Sequence, residues 1–310
     1  MTETGHPMHV QSLEWVDRFN RYLMTERRVS PHTTSNYRRE IASLVAFCDR
    51  EGIEHWHDVL VPEVRRFAAR SHAGGLSPQS VQRRLSAVRT FMKFLVREGV
   101  IGGNYAEFVQ APKAGRKLPS VLDVDQMARL IEIPQEEAYA VRDRAIMELL
   151  YSSALRIGEL TRLNRGDIDF SDRVVRLLGK GNVARIVPVG SFAIKALQRW
   201  LRVRAAKTGE QAVFVGRWGR RLTPRAIQLR LDYWGKRQGI ATHVHPHMFR
   251  HACATHVLES SGGSIREVQE LLGHASISTT QIYTHLNAQR LFEAYEKAHP
   301  RAHRRKDPNE

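Results

Sequence analysis

Residues 271–286 read LLGHASISTTQIYTHL. Within an otherwise helical pattern, His274 and Tyr283 stand on either side of a Ser/Thr-rich break, nine positions apart. The break at HASIS leaves room for a turn, so both side chains can face one cleft. Taken alone, Tyr283 also reads as a core tyrosine with a hydrated hydroxyl. The remainder of the chain has to decide between the two.

The balance of charge narrows the field. Among 310 residues, 48 are Lys or Arg and 32 Asp or Glu, a formal net charge of +16, which suits a polyanionic partner. Through Lys117 there are 18 basic and 12 acidic residues, and beyond it 30 and 20, so both halves carry an excess. A basic tail on a neutral protein would concentrate the excess at one end. Two basic surfaces suit double-stranded nucleic acid better. Cys48 and Cys253 are the only cysteines, too few for a disulfide framework or a thiolate metal site. The N-terminus MTETGHPMHVQSLEW has neither the charged head nor the apolar run of a secretory signal, and no long apolar stretch suits a membrane span. A cytoplasmic protein is expected, with no membrane partner.

Local patterns divide the chain. Ser12, Ser30-Pro31 and Ser77-Pro78 read as helix starts, followed by apolar residues at helical spacing: Leu13, Val16, Phe19 and Leu23; Tyr37, Ile41, Leu44, Val45 and Cys48; Val81, Leu85, Val88, Met92 and Leu95. A shorter helix is expected from Pro62 to Arg70. These four helices make a small all-α domain over residues 1–110, with Arg38, Arg39, Arg83, Arg84 and Arg89 on or near polar faces as candidate DNA contacts. Residues 111–120, inside QAPKAGRKLPSVL, have linker composition. From 121 to 310 the pattern becomes mixed α and β: helices near 123–131 and 138–152, a hairpin of VVRLL and RIVPV around GKGN, then helices to the end, with HPRAHRRKDPNE as a polar tail. The expected fold class is therefore a multidomain α and mixed α+β chain, a small all-α unit followed by a mainly helical unit with a small β-sheet.

Three more stretches of the second half carry groups suited to phosphate chemistry. In SSALRIGELTRL, Arg156 precedes Ile157, Leu160 and Leu163, the apolar face of a helix. A guanidinium at a helix start can fork onto a phosphate, aided by the partial positive charge of the helix end. A surface pair with Glu159 is the alternative. In LLGKGNVARIVPV, glycines on both sides of Lys180 put an ammonium at the tip of a hairpin. A phosphate-binding P-loop does not fit, because the string lacks its spacer and its Ser or Thr. In THVHPHMFRHACATH, Pro246 suits a first helical turn, after which His247 and Arg250 fall three apart on one face. His247 and His251 are four apart, but no Glu follows His247 and no carboxylate or cysteine cluster completes a metal site.

The strings ALRIGEL, GKGN, HMFRH and LLGHASISTTQIYTHL, in that order, resemble the tyrosine recombinase family. The resemblance spans nearly the whole chain, the helical domain matching the family's core-binding domain and the remainder its catalytic domain. VQELLGHASISTTQIYTHL and YEKAHPRA are most similar to the bacterial recombinases that resolve chromosome dimers. Gly158 replaces a serine common among relatives, and Met248-Phe249 a Lys-Leu pair; neither change removes a reacting group.

The resemblance implies a role for each candidate. Tyr283 would attack the scissile phosphorus and leave a 3′-phosphotyrosine and a free 5′-hydroxyl. Arg156 and Arg250 would match the charge gathering on the phosphoryl oxygens. Lys180 would protonate the leaving 5′-oxygen, His247 would accept the phenolic proton, and His274 would be a further phosphate donor, with the two histidines able to exchange tasks. The resemblance implies no cofactor, metal or ATP. As partners it implies double-stranded DNA, a second tyrosine recombinase in a heterotetramer on two DNA sites, and a septal DNA translocase. A phage or mobile-element integrase is the nearer alternative, and a DNA-binding protein without catalysis the more distant one. The C-terminal run with Leu291, Phe292 and Tyr295 at helical spacing is expected to dock on a neighbouring subunit, with packing on its own domain as the alternative.

Overall fold

The computed structural model describes residues 8–27, 29, 31–113, 121–178, 184–261, 295 and 299–302. Two compact units divide at Leu118 and Pro119. The first contains α1 (Val10–Thr25), α2 (Pro31–Glu51), α3 (Val61–Ala73) and α4 (Pro78–Arg97). Their apolar faces enclose Phe19, Phe47, Phe67, Trp56 and Phe91. Phe91 meets the ring of Trp56 edge-on at 4.9 Å and that of Phe19 at 5.1 Å, distances at which aromatic quadrupoles attract.

The expected helix starts fare unevenly. Ser77 caps α4, its side chain accepting the Ser80 N–H, with Pro78 in the first turn. Ser12 is not a cap. Helix α1 begins earlier, at Val10, and the buried Ser12 donates its hydroxyl to the Glu54 carbonyl at 3.0 Å while its own carbonyl accepts the Trp56 indole N–H. Its role is to bind α1 to the loop before α3. Helix α3 runs to Ala73, three residues past the expected end.

The second unit contains α5 (Val124–Ile131), α6 (Ala138–Ser152), α7 (Ile157–Arg162), β1 (Ile168–Asp169), β2 (Val174–Leu178), β3 (Ala184–Pro188), α8 (Ser191–Val203), α9 (Pro224–Arg237) and α10 (Pro246–Ser260). Helix α6 is buried on all sides, as expected of a helix with no polar face. It packs on α5, α7, α8, α9 and α10. Its ionisable residues are therefore paired: Arg142 with Asp143 at 2.8 Å, and Asp143 also with Arg230 and with the Trp234 indole N–H at 2.9 Å.

The strands form one antiparallel sheet in the order β1-β2-β3, with Val175 opposite Val187 and Leu177 opposite Arg185. The hairpin of β2 and β3 was legible in the sequence; the two-residue β1 was not. The expected unbroken run of helices after the sheet is interrupted between α8 and α9, where Val215 and Arg221 pair as a small antiparallel bridge.

A C-terminal strap closes this unit. The Tyr295 hydroxyl shares a hydrogen bond with Ser152 Oγ at 2.7 Å, and Arg301 places two nitrogens on Glu148, at 3.0 and 2.6 Å, and a third on Glu132. Gly190 makes room, since a Cβ there would lie 2.7 Å from both the Arg301 carbonyl and the Tyr295 hydroxyl. For Tyr295 the self-packing alternative holds; Leu291 and Phe292 lie outside the described residues. No described helix is long and apolar enough to cross a membrane.

His299 sits in this strap with its Nε2 3.2 Å from the Tyr151 carbonyl, and its Nδ1 accepts the Arg301 N–H. Both bonds suit the neutral ring, in which Nε2 carries the proton. Burial pushes its pKa down to about 3 against the opposing hydrogen bond to the Tyr151 carbonyl, with smaller contributions from His256 and Arg301. An unfolded histidine takes its proton near pH 6.5, so protons favour the unfolded chain between about pH 6.5 and pH 3. Stability is thus expected to fall as pH drops below about 6.5, with His299 contributing a loss of about 2 kcal/mol by pH 5. Urea unfolding of His299→Gln should show a shallower pH slope over that window than the parent. Identical slopes would contradict the burial argument.

Candidate active site

Helix α7 starts where a guanidinium is wanted. Arg156 occupies its N-cap position, and Glu159, at the third helical position, reaches back to accept the Arg156 backbone N–H at 2.8 Å. This is the return half of a capping box, satisfying a donor that the helix itself leaves open. The same carboxylate accepts Arg156 Nη1 at 3.0 Å, so main chain and side chain of one residue are fixed by one acid. The sequence allowed this pair as a surface contact. In the structure Glu159 is buried, its side chain 6% exposed, while that of Arg156 is 48% exposed. One end of the arginine is held inside and its fork still reaches solvent.

A third group converges on Glu159. Arg185, on β3, donates Nη2 to its Oε2 at 3.0 Å with a side chain only 12% exposed. The register that pairs Arg185 with Leu177 puts it at this depth. Sequence reasoning passed over both Glu159 as a buried organiser and Arg185. The available signals were an acid three residues after a helix cap and a lone charge inside an apolar strand.

Arg250 enters from α10, whose first turn contains Pro246 as expected. Its Nη1 donates to the carbonyl of Ala154, in the turn between α6 and α7. Ala154 is fully buried with φ +47°, a left-handed conformation costing about 1–2 kcal/mol in a residue with a Cβ. Burial lowers the pKa of Arg250 to about 10, helped by the charges of Arg156 and Arg185, with Glu159 opposing. Among the described residues, three guanidiniums thus gather around the one carboxylate of Glu159. Such a cluster is stabilised by an arriving anion, and a phosphate diester matches the forked donors.

His247 lies three positions before Arg250 on α10 and is exposed. Its ring is 6.5 Å from that of His245, whose pKa burial and the neighbouring His243 and His247 depress. Cys253 is no rival nucleophile, since burial lifts its thiol to about 12. Tyr151 and Tyr295 are likewise buried, their hydroxyls raised and engaged with His256 and Ser152. Lys180 falls in the β2–β3 connection, and it lies outside the described residues, as do His274 and Tyr283. Of the six expected catalytic residues, the structure therefore describes three, and it draws Arg156 and Arg250 together.

The first unit's arginines separate into two kinds. Arg38 and Arg39 on α2 and Arg83 on α4 are exposed. Arg84 instead pairs with Glu40 at 2.7 Å and donates to Ser71, and Arg89 donates to the carbonyls of Ala106 and Val109. Those two guanidiniums tie helices and the segment after α4 together.

The chain is similar to known proteins over both units. The phage integrase family matches residues 120–290, and the N-terminal SAM-like domain of phage integrases matches residues 16–99. Tyrosine recombinase XerC of Xanthomonas campestris pv. campestris is 46% identical over 98% of this chain and 94% of its own length. The XerC of Azotobacter vinelandii is 49% identical over 94% and 98%. Among solved structures, the Tn1549 transposon integrase in complex with transposon right end DNA shares the fold with a TM-score of 0.69 at 18% identity, over 90% of this chain and 98% of its own. The lambda integrase dimer bound to a COC' core site gives 0.66 at 19%, over 87% and 98%. With both domains matched and the forked arginines in place, the chain belongs to the phage integrase family of tyrosine recombinases.

Proposed function

We propose that the chain is a site-specific recombinase that cuts and rejoins DNA through a 3′-phosphotyrosine at Tyr283, and that it resolves chromosome dimers at cell division. The convergence of Arg156, Arg185 and Arg250 carries this reading, because a cluster with net positive charge and fixed forks is built for a phosphodiester. A phenol suits a reversible reaction: its ordinary pKa near 10 makes it a modest nucleophile, and its phosphodiester stays close in energy to that of DNA. The Tyr283 oxygen bonds to phosphorus, and the bond from phosphorus to the 5′-oxygen breaks. A 5′-hydroxyl from the partner duplex then reverses the step.

In this reading Arg156 and Arg250 stabilise the phosphoryl oxygens as charge develops, and removing one such preorganised donor costs about 100- to 1000-fold in rate. In this reading they do the work that metal ions do in other nucleases, and the step requires neither metal nor ATP. His247 takes the phenolic proton, with His274 donating to the phosphate, and Lys180 protonates the leaving oxygen. Arg38, Arg39 and Arg83 hold the DNA backbone from the first domain. The partner is a second, unlike recombinase (XerD-like) in a heterotetramer spanning two DNA sites, under control of a septal DNA translocase in the cytoplasm. The high identity to XerC proteins over nearly full length supports this assignment over a phage or mobile-element role.

Tyr283→Phe should bind DNA as the parent does and lose strand cleavage, read as disappearance of the protein-linked strand on a denaturing gel with a nicked site. A covalent adduct in that variant would assign the attack to another residue. Lys180→Ala should cleave slowly on ordinary DNA and recover when sulfur replaces the bridging 5′-oxygen, because a thiolate leaves without an acid. Failure to recover would move the acid elsewhere.

A further inference from the structure

Between α8 and α9 the chain makes a tight excursion that the proposed chemistry does not use. Phe214 and Val215 are buried at its base, and Val215 pairs with Arg221. Backbone bonds from Gly216 N to the Arg220 carbonyl at 2.8 Å and from Gly219 N to the Gly216 carbonyl at 2.9 Å close the tip. Gly219 is needed there. Its φ is +68°, and a Cβ would lie 2.7 Å from the backbone nitrogen of Lys207, which itself donates to the Gly219 carbonyl. Arg221 ties the base to the end of α7, donating to the Thr161 carbonyl at 2.8 Å and to Asn164.

This rigid tip presents Trp218 to solvent, 68% exposed. The Arg217 guanidinium carbon lies 4.2 Å from the Trp218 ring centroid, a cation–π contact. Arg220, Lys207 and Arg225 are exposed nearby in sequence. Over residues 199–230 there are nine basic residues and one acid. That acid, Glu210, accepts the backbone N–H groups of Ala212 and Arg221, bonds that hold its pKa low. No described carboxylate pairs with Arg217 or Arg220. A flexible loop exposes a tryptophan at little cost, but a braced turn that holds one out beside Arg217, in a segment rich in cations, is arranged to meet something.

We propose that the Arg217–Trp218 tip is a DNA contact that rests on the sugar-phosphate backbone of duplex flanking the cleaved site. The proposal rests on the reading of the chain as a DNA-acting protein. Charge selects the partner: nine basic residues against one acid over residues 199–230 suit a phosphate backbone, to which arginines and lysines supply most contacts. The guanidinium neutralises a phosphate while the indole covers a deoxyribose face and offers its N–H. Because Arg221 ties the tip to α7, backbone held there is in fixed register with the helix that begins at Arg156.

Tryptophan fluorescence tests this on the full chain. Trp56, Trp200 and Trp234 are buried and Trp15 half-buried, so the acrylamide-quenchable emission lost in Trp218→Phe reports the tip. Adding a short mixed-sequence duplex at low salt should protect that emission. Arg217→Ala should weaken binding to any sequence and reduce the slope of log affinity against log salt by about 0.9, one phosphate's worth. Trp218→Ala should weaken binding about fivefold. A parent that binds DNA with Trp218 still fully quenchable, and an Arg217→Ala salt slope unchanged, would overturn the contact while leaving the recombinase reading intact. Protection that grows with protein concentration in the absence of DNA would make the tip a protein interface instead. A parent that binds no duplex at all would overturn both.

Discussion

A single buried carboxylate organises the candidate site. Glu159 is withdrawn from water, and a carboxylate so placed is tolerable only when cations and hydrogen-bond donors surround it. It takes the Arg156 backbone N–H, the Arg156 side chain and Arg185 together. The two guanidiniums more than neutralise it, and Arg250, parked on the Ala154 carbonyl, adds a further charge. Arg156, with its side chain 48% exposed, turns outward from this group. Forked donors of this kind match an anion of diester geometry.

The rest of the second unit serves that convergence. Helix α7 must start at Arg156 for the N-cap bond to form, and the strained Ala154 just before it turns the chain and aims its carbonyl at Arg250. Strand β3 must pair with β2 in the observed register, since a slip by one residue would turn Arg185 to the opposite face. Helix α7 packs on α6, and β3 is tied to the turn after α6 by Ser153 Oγ, which donates to the Pro188 carbonyl at 2.7 Å; the acids of α6 are neutralised from afar, Asp143 by Arg230 on α9 and Glu148 by Arg301 near the C-terminus. The strap held by Tyr295, His299 and Arg301 thus closes the same core from which the site is built.

What the sequence revealed follows the range of the interaction involved. The Ser77-Pro78 start of α4, the Pro246 start of α10, the β2–β3 hairpin and Arg156 at a helix start are settled by neighbours within four residues, and all were legible. Ser12 resembles a cap and is none, because its hydroxyl is claimed by Glu54, 42 residues away. Arg84 and Arg89 look like surface cations on a polar face, yet Glu40 and two backbone carbonyls hold them. The depth of Glu159 depends on Arg185, which approaches from another element of the fold. Strand β1 is two residues long and offers no alternation to detect. The braced tip at Trp218 depends on a contact with Lys207 that spacing does not encode.

The organising role of Glu159 is open to one direct measurement. Glu159→Gln keeps the size of the side chain and one acceptor while removing the charge that Arg156 and Arg185 share. Single-turnover cleavage of a nicked duplex site should fall steeply, by about 100-fold where one guanidinium donor is displaced, while duplex affinity stays close to that of the parent and the unfolding midpoint drops, because Arg185 loses the Glu159 charge it is buried against. Cleavage at the parental rate would show that the guanidiniums keep their places without the charge, and would contradict the account.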